Sequence, residues 1–106
     1  MADSTNLRST DRSRFKIPQV LKHMRLHHPN CPSKHRGAIV ARVAGRAWIE
    51  ANIGKAVGIT MDCYVRHTLT EYEGLLASGM NRDVARKMVK SKVDETIASW
   101  APAPAS

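Results

Sequence analysis

A chain of 106 residues with 17 Lys and Arg against 9 Asp and Glu carries a formal net charge of +8, a field that attracts polyanions and repels basic partners, and its length fits one domain with a modest core. Apolar residues make up 42% but aromatics only 5%, which favours a core of Val, Ile, Leu, Met and Ala on helices over an aromatic-rich sheet. The only cysteines, Cys31 and Cys63, exclude a disulfide framework; no apolar run approaches the ~20 residues of a membrane span, and no apolar segment of a secretory signal follows Met1, so a cytoplasmic, reduced chain without membrane contact is expected.

Residues 1–16 mix Ser, Thr, Asn and Arg with little to bury and are expected to form a flexible basic arm. Pro18 suits a first helical turn, and Val20, Leu21, Met24 and Leu26 predict a short helix over 18–28, with Lys22 and Arg25 on its polar side and Pro29 at its end. Two prolines then shape a turn, where Asn30 or Ser33 is placed to cap the next helix. That helix is predicted over 33–52, with Ile39, Val40, Val43, Ala44, Ala47 and Ile49 inward and Arg36, Arg42 and Arg46 outward. Ala38, Ala41, Ala44, Gly45 and Ala47 give it a narrow face that another helix can approach closely.

Gly54 and Gly58 bracket an expected joint, after which Thr60 is positioned to cap a helix over 60–78 and Ile59 to staple onto Tyr64. Met61, Tyr64, Val65, Leu69, Tyr72, Leu75 and Leu76 supply its apolar rhythm, Asp62 and Arg66 a surface pair, and Gly79 its stop. The last helix is predicted over 82–99, capped by Asn81, with Asp83 complementing the helix dipole and pairing with Lys87, and with Val84, Met88, Val89, Val93 and Ile97 in its apolar stripe. The connection is only a few residues, which makes these two helices antiparallel neighbours. Residues 101–106, Ala-Pro-Ala-Pro-Ala-Ser, form an extended tail. The sequence therefore predicts an all-α chain, a small four-helix domain over residues 17–100 with a C-terminal antiparallel helical hairpin and flexible tails. Tyr64, Leu69, Tyr72, Leu76, Val89, Val93 and Trp100 are its expected core.

Charge is unevenly spread. Residues 17–58 hold seven Lys and Arg against the single Glu50, whereas residues 59–106 hold six against six. Lys22, Arg25, Lys34, Arg36, Arg42, Arg46 and Lys55 are thus the candidate nucleic-acid-binding residues, able to follow a phosphate backbone and release its counterions. Arg42 and Arg46, four apart on the predicted helix, form the leading pair, with Glu50 a competing partner for Arg46. DNA or RNA is the expected partner; the competing expectation is protein interaction or self-association through the small-residue face or an edge of the hairpin.

Other clusters carry less. His23, His27, Cys31 and His35 recur every four residues and are ligand types that zinc accepts. Pro29 and Pro32 break the register, however, so exposed histidines beside a small buried Cys compete with a metal site. His67 and Glu71 lie four apart, close enough for a carboxylate to orient an imidazole, but no nucleophile accompanies them and no catalytic residue is assigned. Gly54-Lys55 lacks the preceding glycine and following Ser or Thr of a phosphate loop. A non-enzymatic protein without a cofactor is expected.

The run Tyr64-Val-Arg-His-Thr-Leu-Thr-Glu-Tyr-Glu-Gly-Leu-Leu, then Gly79, Arg82-Asp-Val-Ala-Arg and Val93-Asp-Glu through Trp100, resembles the bacterial and fungal DUF2293 family, with the Asn30-Cys31-Pro32 turn in keeping. The resemblance covers roughly residues 20–100 and rests mainly on His67, Thr70, Tyr72, Leu75, Leu76, Gly79, Arg82, Ala85, Arg86 and Trp100. Its function being unknown, the family implies domain boundaries and no catalytic residues.

Overall fold

The computed structural model describes residues 12–103, arranged as β1 (Arg12–Ser13), α1 (Ile17–His27), α2 (Ser33–Ala44), β2 (Trp48–Ile49), α3 (Ile53–Thr68), α4 (Tyr72–Ala77) and α5 (Arg82–Trp100). The all-α expectation is met, with five helices in place of four. Helix α3 packs on α1, α2, α4 and α5, and buries Ala56, Val57, Thr60, Met61, Tyr64 and Val65. Val20 and Met24 of α1, Ile39, Val40 and Val43 of α2, and Ala85, Val89, Val93 and Trp100 of α5 complete the core around it. Helix α5 runs back along α3 and α4 as the antiparallel arm of the hairpin.

The second predicted helix is eight residues too long. It ends at Ala44, where the Gly45 N–H closes onto the Ala41 carbonyl. Trp48 then turns inward and its Nε1–H donates to the Val43 carbonyl at 3.0 Å. That bond satisfies one of the carbonyls a helix end leaves open, while the indole is buried, an arrangement a continuing helix would forgo. The extended Trp48 and Ile49 pair antiparallel with Ser13 and Arg12. The structure thus contains a two-residue ladder that the sequence did not predict. Residues 12–16 of the expected arm belong to the folded unit; residues 1–11, like tail residues 104–106, lie outside the described part.

The expected joint at Gly54–Gly58 is helical. Asn52 is the real cap, its Oδ1 accepting from Lys55 N at 2.9 Å, so Thr60 lies buried inside α3 and Ile59 is exposed instead of stapled. Glu50, at φ 52°, makes the left-handed turn between β2 and this cap, a conformation that costs a side-chain-bearing residue roughly 1–2 kcal/mol.

The third predicted helix is in turn broken at Leu69–Glu71. Thr70 Oγ1 donates to the Arg66 carbonyl at 2.5 Å and accepts from Tyr72 N at 3.1 Å, so one hydroxyl replaces the backbone ladder and rotates Tyr72 into the core. Helix α4 ends as expected at Gly79, whose φ of 97° suits glycine. Met80 N bonds to Leu75 O and Gly79 N to Leu76 O, the paired bonds of a Schellman stop. Asn81 caps α5 as predicted, accepting from Asp83 N and Val84 N. Leu69 and Leu76 are only half-buried, and Val84 and Met88 are exposed, because the break displaces α4 from the register that a single helix would impose.

A methyl group at Gly58 would meet nothing within 4 Å, so Gly58→Ala should stabilise the protein by about 0.5–1 kcal/mol, raising Tm by about 2–8 °C; an unchanged or lower Tm would contradict a helix through this position. Tyr72→Ala should lose about 3–5 kcal/mol and the half-buried Leu76→Ala less than about 2 kcal/mol, an ordering that urea titration reads directly.

Candidate functional site

The structure sorts the seven basic candidates by what holds each side chain. Arg42, near the end of α2, lies over the Tyr64 ring with its guanidinium carbon 5.0 Å from the centroid. Arg46, in the turn beyond that helix, lies over Trp48 at 4.0 Å. The helical register that suggested this pair does not exist, since α2 stops between the two. They nevertheless line one cleft of ≈ 190 Å³ with Ile59, Thr60 and Cys63 of α3. Both arginines are exposed. A guanidinium carbon held over a ring has a cation–π support that orients the side chain, and no hydrogen bond to a protein group occupies the N–H donors of either arginine among the described residues.

Lys22 and Arg25 line a separate groove along α1 with Pro18, Leu21 and Leu26. Lys34 and Lys55 are exposed in the first turns of α2 and α3. Arg36 is turned inward, its Nη1 donating to the Cys31 carbonyl at 3.1 Å, so it helps to shape the loop before α2. Among the described residues the ion pairs are Arg66–Asp62 and Lys90–Asp94, and His67 meets the Glu73 carboxylate. All lie in the second half, and none involves the seven candidates. The expected pairs Asp83–Lys87 and Arg46–Glu50 are not among them. The first turns of α1, α2 and α3 contain no acidic residue, whereas those of α4 and α5 contain Glu73 and Asp83, so helix dipoles add uncompensated positive potential to the basic half.

The fourfold His/Cys spacing is divided by the proline turn. His23 and His27 meet, ring centroids 4.4 Å apart, and His28, which sequence reasoning passed over, joins them at 6.2 and 6.5 Å. Cys31 is buried, its thiol directed to the Pro32 carbonyl at 3.6 Å. Burial pushes that thiol above its usual range, against the opposing pull of Arg36. His35 is committed elsewhere, its Nδ1 2.7 Å from Tyr64 Oη. No group of three or more His, Cys, Asp or Glu among the described residues could hold a metal ion. His67 pairs with Glu73 at 3.0 Å, not with Glu71, because the break after Thr68 moves Glu71 out of helical register; Tyr72 meets the His67 ring edge-on at 4.9 Å.

Burial, and then the charge of neighbouring histidines, holds His23 and His28 below the ordinary imidazole range, and the buried His28 Nδ1 has no hydrogen-bond partner. The fold therefore favours both rings neutral. As pH falls through about 6.5 the unfolded chain takes up these protons first, so stability present at pH 7.5 should be lost towards the lower folded-state pKa values. Urea unfolding midpoints at pH 7.5 and 5.5 should differ in this sense, and His28→Asn should reduce the difference; an unaltered pH dependence would remove His28 as a contributor.

These features define a small, basic, all-α domain with two arginines shelved on buried rings. The chain belongs to the family described as Uncharacterized conserved protein (DUF2293), which matches residues 23–101. Neither a curated protein nor a solved structure matches it. Among the described residues no helix is long and apolar enough to cross a membrane.

Proposed function

We propose that this domain is a non-enzymatic nucleic-acid-binding module that contacts phosphates through residues 17–58, above all through Arg42 and Arg46. The observation that carries the reading is that these two guanidinium groups share one cleft and take aromatic faces as supports, with no carboxylate paired to either among the described residues. Oriented, unneutralised donors of this kind suit phosphate oxygens, which accept in the plane of the guanidinium. Lys22 and Arg25 offer further contacts. The protein interaction reading draws on a different place: Met88, exposed on α5, borders a groove of ≈ 500 Å³ with Leu69, Val89 and Lys92 at the α3–α4 break.

Replacing Arg42 and Arg46 together by Gln should weaken binding to DNA and RNA fragments about equally across sequences. It should also flatten the dependence of log K on log salt by nearly one unit for each phosphate no longer neutralised. Lys87→Gln with Lys90→Gln should do much less, since Lys90 is already paired with Asp94 at 2.8 Å. Equal effects of the two double variants, or no binding at low salt, would leave the basic half a solvated surface. Salt-insensitive dimerisation, read from mass in solution, would favour the interaction reading.

A further inference from the structure

The nucleic acid that suits this cleft can be narrowed by where the aromatic rings have gone. Proteins that hold single strands obtain much of their affinity by stacking bases on exposed rings, roughly 1–3 kcal/mol per base. This chain has five Phe, Tyr and Trp in all, and all five lie within the described residues. Trp48 is 3% exposed, Tyr64 5%, Tyr72 2% and Trp100 5%, while Phe15 is half-buried against the core. Each of the four buried rings is also engaged: Trp48 with the Val43 carbonyl, Tyr64 with His35, Tyr72 with His67 and Arg66, and Trp100 stacked on His35.

The guanidinium groups of the cleft lie over two of these rings. Arg42 and Arg46 lie over Tyr64 and Trp48, so the cleft offers a ligand guanidinium N–H donors, which recognise phosphate, and no free aromatic face for a base. His27 is exposed, but its ring lies against His23. A surface of cations without stacking platforms gains affinity from counterion release, and release per phosphate is larger on a duplex, about 0.9 against about 0.7 ions for a single strand.

Resting on the phosphate-binding reading above, we infer that the ligand of the Arg42–Arg46 cleft is the backbone of a nucleic-acid duplex, DNA or RNA, and not a single strand. Cys63 lines the same cleft and is exposed, while Cys31, the other cysteine, is buried. Alkylation of Cys63 by the uncharged reagent N-ethylmaleimide therefore reports on occupancy of the cleft itself.

The test uses the full chain and four fluorescent probes: a 20-base-pair DNA duplex, the corresponding RNA duplex, oligo(dT) and oligo(rU) of 20 nucleotides. Kd is measured across a salt series, and Cys63 alkylation is timed with and without each probe. At 50 mM salt at least one duplex should bind about tenfold more tightly than both single strands, the difference expected for about four phosphate contacts, and should slow alkylation of Cys63. A duplex of DNA alone, of RNA alone, or of both meeting this condition would bear the inference out and name the source. Single strands binding as tightly as the duplexes, with Cys63 protected, would overturn the duplex inference and leave the phosphate site standing. Duplex binding that leaves Cys63 alkylation unchanged would overturn the assignment to this cleft. No binding by any probe would overturn both readings together.

Discussion

The hydrogen bond between His35 and Tyr64 joins three helices and a loop at one place. Tyr64 stands on α3, His35 on α2, and the His35 ring stacks on Trp100 of α5 at 6.0 Å. The end of α5 is in turn fixed by Asn30, whose N–H donates to the Trp100 carbonyl at 3.1 Å and whose Nδ2–H donates to the Ala101 carbonyl at 3.0 Å. The proline turn and the last helix are thus held together across 71 positions of sequence. A buried hydroxyl without its partner would be costly, so the tyrosine and the histidine fix each other's position, and the helices that carry them follow. The Tyr64 ring also supports Arg42. Fold and candidate site therefore share a component: loosening Tyr64 would release both the α2–α3 packing and one of the two guanidinium groups in the cleft.

Helix α3 is the other shared element. Its buried face runs from Ala56 to Val65, and small residues at its start let α1 approach; an added methyl at Gly54 would lie 3.8 Å from His23 Cε1. The neighbourhood of α1 so created brings His23 beside the start of α3, with His27 and His28 next to it. The acids of the chain are used differently in its two halves. In the second, Asp62, Glu73 and Asp94 each hold a basic partner; in the first, between Ile17 and Gly58, Glu50 is alone and occupies a left-handed turn. The electrostatic asymmetry of the sequence therefore persists in the folded domain without being dissipated by pairing among the described residues.

Local signals in the sequence located those parts whose structure is decided locally. Pro18 and Pro29 bounded α1, the Asn81 cap started α5, Gly79 ended α4, and Asp62 met Arg66 one turn away at 2.7 Å, all within reach of a few neighbouring residues. Two signals were present and misassigned. Asn52 was available as a cap, but Gly54 and Gly58 behind it suggested a joint in place of a helix; Thr70 was available as a hydroxyl able to break a helix, but an apolar rhythm continuing past it gave no reason to stop.

By itself the sequence determined that the chain is helical, basic in its first half, and closed by a hairpin ending on Trp100, because composition, periodicity and capping act over one or two turns. Tertiary structure alone decided where α2 ends, since Trp48 leaves the helix to bury its ring and pair with Ser13 from the other side of α1. It also decided that His35 meets Tyr64 and Trp100 and that Arg42 and Arg46 face one cleft with Cys63. Each of these depends on contacts between residues far apart in sequence, whose energies no local window contains.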